Sequence, residues 1–295
     1  MPGTPKRTTQ RRVQIAFGLV LAAILYAELN QRDYAPVLTQ RSAVVIAAPQ
    51  VAVNPFEQLL RDDPLAALIE LRTRHLSEVQ DYRCTLVKQE VLPSGMSAEQ
   101  EMEVLFRQHP YSVTLTWVRN AGLAQRVIYV KDRWVDDTAD NPAERDLAVC
   151  QPGALGAMFI KSIKMPIRGS MARQTARRNI DEFGFTRALD LLIRYCELAR
   201  SRNELVLEYR GEGRFDGRPV WVVHRHLPYT GEGGLYPDRT AEIYIDKEYH
   251  VPVAVYCYSD IEQKPANLLS KYEFRNIRFN VGLTDKDFDP ATYGM

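Results

Sequence analysis

From residue 82 onward, apolar and polar residues alternate with a period of two far more often than with a helical period. The clearest case is residues 111–118 (YSVTLTWV). Tyr111, Val113, Leu115 and Trp117 fall on one side of an extended chain, and Ser112, Thr114 and Thr116 on the other. Such alternation predicts a β-strand with one buried and one polar face. Similar strands are expected over 82–92 (YRCTLVKQEVL), closed by the turn signal Pro93-Ser94-Gly95, and over 101–108, with Met102, Val104 and Phe106 on one face. Segments 125–130 and 133–135 continue the series. It resumes over 204–209, 218–227, 241–246, 252–258 and 268–279, with Asp216-Gly217 as a tight hairpin signal. A helical stripe of Leu65, Leu68, Ile69, Leu76 and Val79 predicts a first helix, with Asp62 or Asp63 as cap and Pro64 in its first turn. A second is expected from Leu189, Leu192, Ile193 and Cys196, capped by Thr186. About ten strands, mostly consecutive, predict an antiparallel sheet, and the two helices interrupt the strands rather than alternate with them.

Residues 137–184 break the pattern. They contain Pro142, Pro152 and Pro166 and the glycines Gly153, Gly156, Gly169 and Gly184. With the second helix they form an irregular and helical insert over about 137–200. An excursion of this length is usually a functional lid or a loosely packed loop. It holds an apolar stretch with two lysines, LGAMFIKSIKM, and cations at Arg168, Arg173, Arg177 and Arg178.

The N-terminus has a different character. Lys6, Arg7, Arg11 and Arg12 precede an apolar run over 15–27 (IAFGLVLAAILYA). A basic flank before a short apolar run is the layout of an export signal, and at about 1.5 Å per residue the run spans only about 20 Å of a ~30 Å bilayer core. Residues 1–27 therefore read as a signal peptide or, because Leu25 is a poor cleavage-site residue, an uncleaved signal anchor. Either places the remainder outside the cytoplasm, free or tethered to the inner membrane. Residues 28–60, with Pro36, Pro49 and Pro55, read as a linker, leaving 61–295 as a single domain.

Composition narrows the partners. Overall 38 Lys and Arg face 37 Asp and Glu. Residues 1–27 hold four of those cations and no acid, so the remainder is net negative by about three charges. That disfavours nucleic acid.

Several segments carry a resemblance: YRCTLVKQE (Tyr82, Cys84, Thr85, Lys88, Gln89, Glu90), the strand YSVTLTW, DGRPVWVV, AEIYIDKEYHVPVAVYCY, and the tail NVGLTDKDFDP from Asn280 to Pro290. Over about residues 62–293 the chain resembles a bacterial envelope family of unknown function, best known from planctomycetes and related to the LolA/LolB lipoprotein carriers. The resemblance implies a mainly β fold with α: a single strongly curved antiparallel sheet, a LolA-like half-barrel, covered by helices. Such a sheet needs a cover over its apolar face. A partial cover would leave a lipid-sized groove, in which each buried CH₂ contributes about 0.8 kcal/mol.

The groove residues expected on this reading are Tyr111, Val113, Leu115 and Trp117 from the sheet and Leu155, Met158 and Phe159 from the insert, with Lys161, Lys164 and Arg168 as headgroup contacts. The plainer reading of those cations is a solvated face. Other constellations carry less. His224 and His226 share one strand face but lack a recognisable third ligand for zinc. Thr230-Gly231-Glu232-Gly233-Gly234 lacks the Lys-Ser/Thr of a phosphate loop and precedes no helix. Asp285, Asp287 and Asp289 lack the glycine and closing glutamate of a calcium loop. Cys84, Cys150, Cys196 and Cys257 permit disulfides after export but read better as free thiols, Cys84 and Cys196 lying on apolar faces. No catalytic motif or cofactor site is expected. The function expected is an extracytoplasmic binding protein for a lipid or lipidated partner; the alternative is an envelope interaction module with a self-filled core.

Overall fold

The structure, a computed structural model, describes residues 54–153 and 160–295. Two helices open it. Asn54 caps α1 (Pro55–Asp62) by accepting from the Phe56 N–H at 2.9 Å, and Pro55 takes the first position, where its missing N–H costs nothing. Asp63 caps α2 (Pro64–Glu78), its Oδ1 accepting from the N–H groups of Leu65 and Ala66. The helical region thus begins at Pro55, inside the stretch expected to be linker. Phe56 and Leu60, four residues apart, give α1 an apolar face too short to stand out in the sequence.

Twelve strands form one antiparallel sheet: β1 (Asp81–Leu92), β2 (Gly95–Met96), β3 (Gln100–Arg107), β4 (Ser112–Arg119), β5 (Ala124–Val130), β6 (Leu147–Pro152), β7 (Ile163–Pro166), β8 (Val206–Phe215), β9 (Arg218–His226), β10 (Thr240–Asp246), β11 (Pro252–Tyr258) and β12 (Leu268–Phe279). The order across the sheet is β7-β6-β5-β4-β3-β1-β12-β11-β10-β9-β8, with β2 hairpinned on β1. It is therefore two meanders joined where β1 pairs with β12. Among the described residues β7 and β8 do not pair, so the sheet is an open half-barrel, mainly β with α. The insert differs from its expectation: it contributes β6 and β7, strands of six and four residues with prolines at their ends, too short to show a period.

Between β7 and β8 run α3 (Ser170–Thr175) and α4 (Phe185–Ser201). The residue capping α4 is Gly184, not Thr186. Its φ of +100° suits glycine, and a Cβ there would lie 2.9 Å from the Phe106 ring. Helices α1, α2 and α4 lie on one face of the second meander, here called the inner face. Phe56, Leu60, Leu68, Leu71, Leu189 and Ile193 pack there on Trp221, Val223, Ile243 and Ile245. Each such side chain contributes about 1.5–3 kcal/mol on full burial.

The polar outer face is covered over β3–β5 by the C-terminal segment. Asp81 holds it: its backbone carbonyl accepts from the Asn280 N–H, and its carboxylate accepts from the N–H groups of Val281 and Leu283. Thr284 and Asp287 then cap a short turn, and Phe288 is fully buried on Ile128 and Val130. The tail NVGLTDKDFDP is thus a clamp. Asp287 and Asp289 cap turns and Asp285 pairs with Arg107 at 2.8 Å.

Candidate functional site: the inner face of the first meander

Strand register sets which side chains share the inner face. Val104 pairs with Leu115 and Leu115 with Val127; Met102 pairs with Trp117, Phe106 with Val113, and Val113 with Tyr129. Val127 in turn pairs with Cys150 and Cys150 with Ile163. Val113, Leu115 and Trp117 therefore stand side by side on this face, as their alternation requires.

Their burial differs. Val113 is fully buried beneath a stack of rings: Tyr82 on Phe106 at 4.7 Å between centroids, Phe185 against Tyr82 at 5.0 Å, and Phe185 on Phe274 at 4.7 Å. The Tyr111 hydroxyl shares its one proton between the backbone carbonyls of Ile180 and Phe183, 2.9 Å from each. This ties the segment after α3 across the face. Beyond it, Leu115, Trp117, Val127 and Cys150 are only half-buried, and Ile163 is 47% exposed. The Trp117 Nε1 is itself shielded and has no acceptor. Among the described residues, the inner face is thus filled in the middle by aromatic side chains and only partly covered towards β4–β7.

The expected headgroup cations do not gather at this floor. Lys164 pairs with Val149, which pairs with Ile128, so it stands on the outer face. Arg168 is engaged by Asp181 in an ion pair. Lys161 is exposed just ahead of β7. Leu155, Met158 and Phe159 lie outside the described residues, as do residues 1–53. Val127, Cys150, Phe183 and Phe185 belong to the site but are not among the residues expected from the sequence. The alternation of Gln125, Val127 and Tyr129 is the signal that marks Val127; nothing local marks the phenylalanines, which enter from an irregular segment.

The inner face also carries buried charge at the end where β1 finishes. Lys88 pairs with Glu90 at 2.7 Å, and the Tyr272 hydroxyl donates to Glu90. On β9, Arg225 is 1% exposed and meets Asp238 through its Nη2 at 2.9 Å to both oxygens. Each charge thus has an opposite charge beside it, although the Arg225 Nε and Nη1 have no hydrogen-bond acceptor.

Burial pushes the Cys150 thiol up to about 11 and the Tyr111 phenol well above its ordinary value, so both stay uncharged near neutrality. All four cysteines are unbridged. His224 and His226 lie on the outer face, occupied by Glu242 and the Thr240 hydroxyl at 3.2 and 3.0 Å. Among the described residues no three His, Cys, Asp or Glu side chains converge on a metal position. Among the same residues no helix is long and apolar enough to cross a membrane.

The architecture is that of an open antiparallel half-barrel with helices over part of its inner face. Residues 79–293 match the family described as Protein of unknown function (DUF1571), and the chain belongs to it. Distant structural likenesses accompany this. MucB is 13% identical with a TM-score of 0.45, the alignment covering 77% of this chain and 62% of MucB. The chain therefore spans less than two thirds of MucB. The lipoprotein LppX of Mycobacterium tuberculosis is 11% identical with a TM-score of 0.38, over 77% of this chain and all of that one. A LolA superfamily protein of Nitrosomonas europaea is 10% identical with a TM-score of 0.24, over 76% and 97%. No curated protein is significantly similar to the chain.

Proposed function

We propose that this chain is an extracytoplasmic binding protein, not a catalyst, that holds a lipid or the acyl part of a lipidated partner against the uncovered part of its inner face. The observation that carries this is the floor formed by Leu115, Trp117, Val127 and Cys150: contiguous, facing inward and only half-buried, while neighbours on the same face are closed off. An alkyl chain laid on such a floor gains about 0.8 kcal/mol per buried CH₂ and needs no polar partner. The tied segment after α3 is the natural cover, and opening it would admit the ligand. The basic, apolar N-terminus supports an extracytoplasmic location, with residues 1–27 either removed or kept as an anchor.

A second reading has its own observation. Phe183, Phe185, Phe106 and Phe274 already fill the middle of the face, as in an interaction module with a self-filled core. The two separate cleanly. Native mass spectrometry with lipid extraction on the chain purified without denaturant should find co-purifying acyl lipid. Trp117→Glu and Leu115→Glu, checked for folding, should each lower its occupancy at least tenfold. A clean apo mass, also after incubation with envelope lipids, would favour the self-filled module. Lipid retained in folded variants would show that this floor is not the site.

A further inference from the structure

Where β1 finishes, residues 173–177 and the loop 229–237 enclose a second cleft of about 330 Å³. Leu92 and Pro237 make its apolar wall; Arg173, Arg177 and Tyr229 make its polar one. Glu232 is its only acidic lining residue. The state of Arg177 is informative. Its Nη2 reaches the Pro237 carbonyl at 3.5 Å, but its Nη1 is buried without an acceptor, 3.6 Å from Glu232. Glu232 supplies countercharge there but no hydrogen bond, and a shielded donor without an acceptor is costly, so the cleft has a place for an oxyanion or a water.

The countercharge is ill fixed. The Glu232 side chain is 69% exposed against 18% for Arg177. It sits between Gly231 and Gly233, whose φ values of +108° and +86° are glycine conformations. A Cβ at either would meet nothing within 4 Å. The loop backbone is therefore bare on that side, and Glu232 can turn to solvent when a competing anion enters. Two arginines then line the cleft without a carboxylate between them, Arg173 donating one of its N–H groups to the Arg168 carbonyl. Arginine's planar fork matches phosphate oxygens two at a time. A bare phosphate would leave the Leu92 and Pro237 wall unused; a phosphate esterified to glycerol would use both walls.

We propose that this cleft binds the phosphate of an anionic phospholipid headgroup, with Arg177 and Arg173 as its ligands. This rests on the lipid reading for the source of the phosphate, but uses none of the residues on which that reading stands. It also gives the glycine-rich loop, which has no phosphate-loop signature, a role as a wall rather than a cradle.

The test uses the full chain with dihexanoyl phosphatidylglycerol, dihexanoylglycerol (the same acyl groups without phosphate) and inorganic phosphate, measured by calorimetry. Arg177→Gln and Arg173→Gln should each weaken phosphatidylglycerol binding at least tenfold and leave dihexanoylglycerol unchanged, with Arg177→Lys partly restoring affinity. Competition by inorganic phosphate would support the site and show that it also takes free phosphate. Arginine-dependent phosphatidylglycerol binding without such competition would support it as headgroup-specific. Arg173 is exposed, so its variant carries the test if Arg177→Gln does not fold. Unchanged phosphatidylglycerol affinity in the folded variants, or none in the native chain, would overturn the proposal. The lipid reading would then stand or fall on the Trp117→Glu result.

Discussion

Asp246 offers the sharpest test of how this sheet is held together. It ends β10 in the segment YIDKEYHVPV and is fully buried. Its Oδ2 accepts from the Arg218 Nε at 2.6 Å and its Oδ1 from Nη2 at 2.9 Å, a two-pronged pair. The same Oδ1 accepts from the N–H groups of Glu248 and Tyr249 at 2.9 and 2.8 Å, which shapes the turn into β11. Arg218 also lies over the Tyr249 ring at 4.0 Å. Asp246→Ala removes four acceptor contacts and leaves Arg218, about one third exposed, with Glu248 at 3.0 Å as its remaining carboxylate. Breaking a fully buried pair costs about 3–5 kcal/mol; the exposure of Arg218 and its contact with Glu248 bring this one to about 2–4 kcal/mol. Asp246→Asn keeps the acceptor facing the turn and loses the charge, so it should cost about 1.5–3 kcal/mol.

The assay is urea unfolding followed by tryptophan fluorescence, since Trp221 is fully buried with its ring 5.5 Å from the His250 ring of the same turn. With a slope of about 2–3 kcal/mol per M for a domain of this size, Asp246→Ala should move the midpoint down by roughly 1–2 M. A pH series adds a second readout. Burial pushes the Asp246 pKa up, but Arg218 and the two backbone N–H groups outweigh it, leaving the carboxyl below its ordinary 3.8. The folded value is the lower one, so this stabilisation is present above pH 3.8 and is lost as pH falls through the folded pKa. In Asp246→Ala the loss below pH 3.8 should be smaller. A midpoint within about 0.3 M of the native protein would refute the reasoning.

Two further perturbations probe the aromatic filling. His75 is 3% exposed, neither ring nitrogen has a partner, and burial lowers its pKa from 6.5 to about 4. Its neutral form is the one that folds, so stability should fall by up to about 3 kcal/mol between pH 6.5 and 4. His75→Phe, set among Tyr82, Phe185 and Phe279, should remove that slope, and an unchanged slope would count against it. Gly184→Ala combines a left-handed backbone with a Cβ at 2.9 Å from Phe106 and 3.2 Å from the Tyr82 hydroxyl. Strain and overpacking together should cost about 2–5 kcal/mol, read as a drop in the urea midpoint; a native-like midpoint would mean the ring stack is loose.

What is legible in the sequence follows from what is local. The faces of β4 are legible because a period of two fixes them without reference to any partner, so the alternation alone groups Val113, Leu115 and Trp117. The cap of α2 is equally local, Asp63 and Pro64 standing next to the helix they start. Lys164 illustrates the limit. It sits one residue from Ile163, and in a strand that single step moves it to the opposite face. Unless residues 163–166 are known to be a strand, it reads as part of one basic cluster. Gly184 is hidden for a different reason: its place is dictated by the Phe106 ring, 78 positions away in sequence. The ring stack joins residues from β1, β3, α4 and β12, and no window of sequence contains them.

The two halves of the sheet differ in how their inner faces are closed, and this is where the function should be sought. The second meander is closed by three helices whose apolar side chains pack on Trp221, Val223, Ile243 and Ile245. Reaching its Trp221–Ile245 core would mean unpacking side chains worth about 1.5–3 kcal/mol each. The first meander is crossed by a segment lacking such a stripe. Its ties include a shared hydrogen bond from the Tyr111 hydroxyl to two carbonyls and an ion pair between Arg168 and Asp181, with Ile180 and Phe183 as its apolar contacts. Net hydrogen bonds of this kind contribute about 0.5–1.5 kcal/mol each. An acyl chain placing six or more CH₂ groups on the Leu115–Trp117 floor gains about 5 kcal/mol, enough to offset those ties. The balance predicts that Tyr111→Phe, which keeps the ring and loses the shared hydrogen bond, tightens lipid binding by several-fold. If it weakens binding instead, the segment after α3 is part of the site rather than its cover.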